Sequence, residues 1–192
     1  MTDPLVQTDE EFSVVILAGG RGRRLIDRVL EAVHPLTDDL LIVGDLVTTA
    51  PHPLIRLIPD AWPHHSSLMG VYTGLLSARH ALAVCVGCDM PFLSASVLKR
   101  VARSARGHDA AVPRVGNNLE ALHAAYRRSC LPVMKTALEQ QSYRLIDILP
   151  RVDTVEIDER ELRQLDPELK SFINVNTPAD LEKVLAGPAA VG

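Results

Sequence analysis

Two short stretches carry the residue types that handle phosphates. The first, LAGGRGRR at 17–24, sets Gly19, Gly20 and Gly22 among Arg21, Arg23 and Arg24. Glycines let backbone N–H groups turn towards an anion unobstructed, and a helix N-terminus beyond the turn adds a favourable dipole. Guanidinium groups at the same turn bring positive charge to a triphosphate. The stretch lacks the Gly-Lys-Ser/Thr ending of a P-loop, and its spacing differs from G-x-G-x-x-G. The alternative is a tight strand-to-helix turn with solvated arginines; three arginines at the carboxyl end of the first strand favour anion binding over it. The second stretch, GCDMPFL at 87–93, places Asp89 where a strongly apolar run ends. Pro91 and Ser94 supply turn and cap chemistry there without it, so the carboxylate is free for another task. Holding Mg²⁺ on phosphate oxygens is such a task, because Mg²⁺ favours one or two carboxylates together with phosphates.

Other positions are more ambiguous. Asp60 ends the run LIRLIPD, and SSLMG at 66–70 follows soon after; this is a loop that reads a nucleobase or a surface turn. Asn174, Asn176 and Thr177 in FINVNTP either face a ligand at a strand end or form an Asx-turn into the last helix. Cys85 and Cys88 form a C-x-x-C, but they fall inside the apolar run and no second Cys or His pair stands at ligand spacing, so they read as small buried hydrophobes. His64–His65 reads as surface, and the acidic residues 158–161 as a solvated helix start.

These residues need a sheet to hold them. FSVVILA (12–18), DLLIVGD (39–45), LIRLIPD (54–60) and ALAVCVGCDM (81–90) read as buried strands, with DAAVP (109–113), ALHAAY (121–126), VDTVEID (152–158) and FINVN (172–176) as further ones. Helical spacing of Leu25, Val29, Leu30 and Val33 predicts a helix that ends near Pro35, and helices are also predicted at 70–80, 95–105, 130–140 and 144–149. Ser94 suits an N-cap, and Thr177–Pro178 suits the opening of a terminal helix. This alternation predicts a three-layer α/β fold: a mostly parallel Rossmann-like sheet with helices on both faces. Ligands of such sheets bind beyond the carboxyl ends of the strands, where both phosphate-type stretches fall. Residues 12–186 are expected to form a single domain, with 1–11 and 187–192 as flexible tails.

Composition narrows the class of partner. The chain has 192 residues, 47% of them hydrophobic, and a formal net charge of -4. That is enough apolar residue for a real core, and the absence of a basic surplus argues against nucleic acid as a partner. An acidic N-terminus without an apolar segment, and no apolar run long enough to span a bilayer, argue against a signal peptide or a membrane. Three cysteines, an odd count, suit a reducing compartment, and a cytoplasmic protein is expected.

LAGGRGRR, SSLMGVYTGL, GCDMPFL, LEALHAAYRRSCLP and FINVNTPADL occur in the order and spacing of one family. From about residue 12 to about 185, the chain resembles the molybdenum cofactor guanylyltransferases (MobA-type) of the Rossmann-like nucleotidyltransferase superfamily. The first and last motifs are shared with enzymes that transfer cytidylyl or sugar-nucleotide groups; the combination with DMPFL and NVNTP is more specific. The resemblance implies guanylyl transfer from GTP to molybdopterin with release of pyrophosphate, Mg²⁺ (alternatively Mn²⁺) as cofactor, and molybdoenzymes or other cofactor-synthesis proteins as partners. It assigns Leu17, Ala18, Gly19 and Gly20 to the nucleotide loop, with Arg21 beside them and Arg24 as its catalytic cation. Asp60 falls at the guanine side, with Asp45 a softer correspondence where the family often has Asn. Gly70 closes a G-P-L-x-G-like motif in which Ser66–Ser67 replaces Gly-Pro. Asp89 matches the magnesium ligand, and Asn174 and Asn176 lie towards the pterin side. One departure stands out. The family's first motif continues through Met-Gly-x-Asp-Lys, whereas here Arg24–Leu25 passes straight into IDRVLEAV and Lys99 is the first lysine of the chain. The alternatives are therefore a cytidylyl- or sugar-phosphate nucleotidyltransferase, or a non-catalytic nucleotide-binding homologue.

Overall fold

Side chains alternate between two cores along every central strand. In β1 (Ser13–Leu17), Val14 and Ile16 enter one cluster of buried residues and Val15 the other; in β2 (Leu40–Val43), Leu40 and Ile42 part from Leu41 and Val43 in the same way. A strand buried on both faces reads as a continuous apolar run, which is why these segments stand out in the sequence. The computed structural model describes residues 10–18, 25–44, 52–59, 66–175, 177, 180 and 182.

β1 pairs in parallel with β2 on one side and with β4 (Leu82–Gly87) on the other, and β3 (Ile55–Ile58) lies beyond β2. β7 (His123–Arg127) runs antiparallel to β4 and is followed by β5 (Ala110–Val115), which carries the short β6 (Asn118–Leu119) and, in parallel, β8 (Thr154–Ile157). The order is β3-β2-β1-β4-β7-β5-β6, with β8 also on β5. Among the described strands only β6 and β7 run against the others, so the expected mostly parallel sheet is present.

One face is covered by α1 (Ile26–Val33), α3 (Ala95–Ser104) and α5 (Glu159–Leu165), which bury Val29, Val97 and Leu162 among others. The opposite face takes α2 (Ser67–Ser77), α4 (Leu131–Glu139) and a 3-10 helix at Leu145–Arg151. α2 packs close to β1 because it presents glycines. A methyl added at Gly70 would lie 2.8 Å from Leu17 Cδ2, and one at Gly74 would lie 2.9 Å from Val15 Cγ2 and nearer still to Cγ1. Both distances are below van der Waals contact. Where β1 and β2 begin, the wholly buried carboxylate of Asp39 accepts hydrogen bonds from Ser13 Oγ (2.7 Å), Arg56 Nη1 (2.8 Å) and the Arg79 N–H (2.7 Å).

Three expectations change. Of the strand expected at 172–176, the described residues 172–175 are not in a strand: Lys170–Phe172 make a 3-10 turn, and the N–H groups of Ile173 and Val175 bond to the carbonyls of Lys170 and Asp89 instead of to a strand neighbour. The helix expected at 144–149 is 3-10, with Pro150 inside it lacking an N–H for an α-helical ladder. Ser94 occupies an N-cap position, but its hydroxyl makes no cap hydrogen bond, and its N–H is held by Ser171 Oγ at 2.9 Å. Thr177 does cap as expected: its N–H bonds Asp180 Oδ2 at 2.9 Å, and its Oγ1 accepts from the Asp180 N–H at 3.1 Å.

Candidate active site

Leu17 closes β1 and Gly87 closes β4, and the two residues are partners in the parallel register. One residue on, the Cys88 N–H donates to the Leu17 carbonyl at 3.1 Å. The chain leaving β1 at Ala18 towards Gly19 therefore starts beside the turn that carries Asp89. Ala18 is itself held by its N–H to the Val43 carbonyl at 2.8 Å. Gly44 presses against it: with φ at +119°, a methyl there would meet the Ala18 oxygen at 2.7 Å, so only glycine fits. Gly87 matters likewise for Asp89. A methyl on Gly87 would collide with Asp89 Oδ1, so the bare α-carbon gives the carboxylate room to fold back over the end of the strand.

Asp89 opens onto a groove of about 510 Å³. Ser66 and Ser67 at the start of α2 border it, with Ser66 Oγ accepting the Met69 N–H at 3.1 Å as the helix cap. The turn before β7, from Glu120 to Leu122, lines it, as do Tyr143 and Arg144 ahead of the 3-10 helix. Asn174 completes the lining on a segment tied to the site by the hydrogen bond from the Val175 N–H to the Asp89 carbonyl, 2.8 Å.

Of the expected site residues, Leu17, Ala18 and Asp89 converge at one strand edge, and Asn174 joins Asp89 in the groove. Gly70 is buried against Leu17 and sets the distance between α2 and β1. SSLMG is not a loop: it is the cap and first turn of α2. Gly19, Gly20, Arg21, Arg24, Asp45, Asp60 and Asn176, together with Arg23 and His64–His65, lie outside the described residues. Cys85 and Cys88 are buried in cores on opposite faces of the sheet, which separates their sulfurs. Burial pushes the Cys85 thiol far up and the Cys130 thiol up to about 12.

Glu120, Tyr143 and Arg144 do not stand out in the sequence. A single acid before a strand and a Tyr-Arg pair in a polar turn carry no spacing signal. His123 is equally inconspicuous there. It is wholly buried against Phe172 (ring centroids 4.5 Å apart), its ring nitrogens lack hydrogen-bond partners among the described residues, and burial pushes its pKa down to about 4, so it is a neutral packing ring at pH 7. Among the described residues, no group of three or more His, Cys, Asp or Glu side chains gathers to hold a metal, and no helix is long and apolar enough to cross a membrane.

The MobA-like NTP transferase domain family matches residues 14–155. A molybdenum cofactor guanylyltransferase from Desulfosudis oleivorans is 34% identical over 188 residues, covering 90% of this chain and 93% of its own. Among solved structures, molybdopterin-guanine dinucleotide biosynthesis protein A from Archaeoglobus fulgidus superposes with a TM-score of 0.75 at 28% identity, over 89% of this chain and 95% of that one. The 2-C-methyl-D-erythritol 4-phosphate cytidylyltransferase from Thermus thermophilus shares the fold, with a TM-score of 0.67 at 18% identity over 92% and 98% of the two chains. With its central strand edge, its nucleotidyltransferase fold and this match over most of its length, the chain belongs to the MobA-like NTP transferase family.

Proposed function

We propose that this chain transfers the guanylyl group of GTP to the terminal phosphate of molybdopterin and releases pyrophosphate. The observation that carries the reading is the pairing of the β1 and β4 ends, which sets the departure point of the Gly19–Arg24 stretch beside the Asp89 turn. The named relatives support the choice of nucleotide and acceptor.

A divalent cation fits what Asp89 offers. At the strand end the groove presents the Asp89 carboxylate, folded back over Gly87, and no group of three or more possible protein ligands gathers around it among the described residues. That suits Mg²⁺ or Mn²⁺ shared with substrate phosphates rather than a closed metal site. When bound, the cation offsets negative charge on the phosphates. The remaining work belongs to the chain. N–H groups at Gly19 and Gly20 and the guanidinium groups of Arg21, Arg23 and Arg24 would hold the triphosphate. Asp60 and Asp45, which follow β3 and β2 in the chain, are assigned to the guanine. Asn174 and Asn176 are assigned to the acceptor, which enters from the β7 side. An acceptor phosphate oxygen attacks the α-phosphorus, the bond to pyrophosphate breaks, and no covalent enzyme intermediate is required. Residues 12–186 act as one catalytic domain, working in the cytoplasm and supplying molybdoenzymes or other cofactor-synthesis proteins.

The missing Asp-Lys segment favours a second reading, a homologue that binds nucleotide without transferring it. Incubation with [α-³²P]GTP, Mg²⁺ and molybdopterin separates the two. Label appearing in the pterin product, and falling by roughly two to three orders of magnitude in an Asp89→Asn variant of unchanged melting temperature, supports transfer. Stabilisation by GTP without any label transfer supports the binding homologue, and stabilisation by CTP alone would point to cytidylyl chemistry.

A further inference from the structure

Glu120 is the residue of the groove whose position the proposed reaction leaves unexplained. Its backbone is locked: its N–H bonds the Pro113 carbonyl at 2.9 Å, and its carbonyl accepts the His123 N–H at 2.9 Å. Its side chain is half-buried and lines the groove, yet among the described residues its carboxylate has no hydrogen-bond or ion-pair partner. Burial raises its pKa. A carboxylate partly desolvated at a groove wall is a ready acceptor for a ligand that brings donors to it.

Topology says which ligand. β7 flanks β4 on the side away from β1, so Glu120 lies across Asp89 from the chain that leaves β1. His123 pairs with Val86, so the turn before β7 and the turn after β4 leave the sheet at the same edge. With the nucleotide held at the end of β1, as in the proposed reaction, the group facing Glu120 is the acceptor. Resting on the guanylyl-transfer reading, we propose that Glu120 determines acceptor specificity by taking two hydrogen bonds from the N–H and amino edge of a 2-amino-4-oxopyrimidine ring, the edge that a pterin presents. Two parallel carboxylate oxygens match two adjacent N–H donors as they match a guanidinium fork. The half-buried ring of Tyr143 borders the same groove and packs against the heterocycle face, and Arg144, 77% exposed and only loosely set against Asp147 at 4.0 Å, remains available to an acceptor phosphate.

The test compares 6-hydroxymethylpterin with 6-hydroxymethyllumazine, which lacks the 2-amino group, by fluorescence titration of the intact protein. Wild type is expected to favour the pterin about tenfold or more; Glu120→Gln is expected to erase that preference, and Glu120→Asp to retain part of it. Stabilisation by GTP should stay the same in both variants, which shows that they fold. In the transfer assay, Glu120→Gln should raise KM for molybdopterin roughly 10–100-fold and leave KM for GTP within about twofold. A preference that survives Glu120→Gln, or is absent from wild type, overturns the assignment. If wild type discriminates and the variant does not, yet no guanylyl is transferred, the site assignment stands and the reaction proposed above fails.

Discussion

Replacing Asp39 by Ala removes the most heavily engaged buried carboxylate described in this fold, far from the site. Its side chain is 0% exposed and is held by Ser13 Oγ, Arg56 Nη1 and the Arg79 N–H, with Arg79 Nε a further 3.6 Å away. The charge-assisted bond to Arg56 is worth about 1.5–3 kcal/mol, and the Ser13 hydroxyl and Arg79 N–H lose a buried acceptor at about 1 kcal/mol each. Arg56 is 34% exposed and keeps its 2.9 Å bond to the Ser77 carbonyl, so water and protein partly compensate it. The sum, about 3–5 kcal/mol, agrees with the cost of removing one partner from a buried pair. For a chain of this size that lowers Tm by roughly 6–20 °C. The assay is urea denaturation followed by circular dichroism, with a lower midpoint and an unchanged slope expected. Burial alone would raise the Asp39 carboxyl, but the Arg79 N–H, Ser13 and Arg56 together hold it below the ordinary range. A depressed carboxyl stabilises the fold fully above its unfolded pKa near 4, and that contribution is lost as pH falls through the folded value. The gap between wild type and variant should therefore be constant above about pH 5 and shrink below about pH 4. A loss under about 1 kcal/mol at pH 7, or a gap that widens in acid, would refute the reasoning.

Gly74→Ala gains about 1 kcal/mol of helix propensity but drives a methyl into the wholly buried Val15, an overlap costing about 1–3 kcal/mol. A net fall in stability is expected from thermal melts, and a rise would mean that α2 shifts freely. GTP at a hundred times its Kd, with Mg²⁺, should stabilise the protein by about 2.7 kcal/mol, or roughly 5–10 °C by differential scanning fluorimetry; equal shifts with GTP and CTP would count against a guanine-selective site. All three thiols are buried, and those of Cys85 and Cys130 are pushed upwards, so modification by a disulfide reagent at pH 8 should proceed at the rate of unfolding. Rapid labelling of the native protein would contradict the buried placement.

Much of this architecture is legible in residue order because continuous apolar runs such as LLIV and LAVCVG suit strands covered on both faces and little else. The position of Asp89 follows from the same logic, since a carboxylate just past such a run must emerge at the sheet edge. Residues 172–175 mislead because an apolar Phe-Ile-x-Val pattern satisfies a strand template, while the partners that decide the matter, Lys170 and Asp89, are set by tertiary packing. Helix α2 begins at Ser67, ahead of the Gly70 start that the apolar pattern suggests, because Ser66–Ser67 suits a turn as well as a cap. Glu120 is beyond the reach of sequence: its meaning comes from the pairing of β7 with β4, a contact between segments far apart in the chain, and no local pattern encodes it.

The reversed direction of β7 has a consequence for how such an enzyme diversifies. On the proposed reading the nucleotide is held by segments that follow the parallel strands β1 to β4 in the chain, and the stability of the parallel core depends on those strands. The opposite wall is supplied by the segment entering a strand that runs the other way, which joins the rest through a surface hairpin. If the proposed acceptor wall is right, exchanging residues 116–122 and 143–146 redirects the molecule to another acceptor while the strands on the donor side remain untouched.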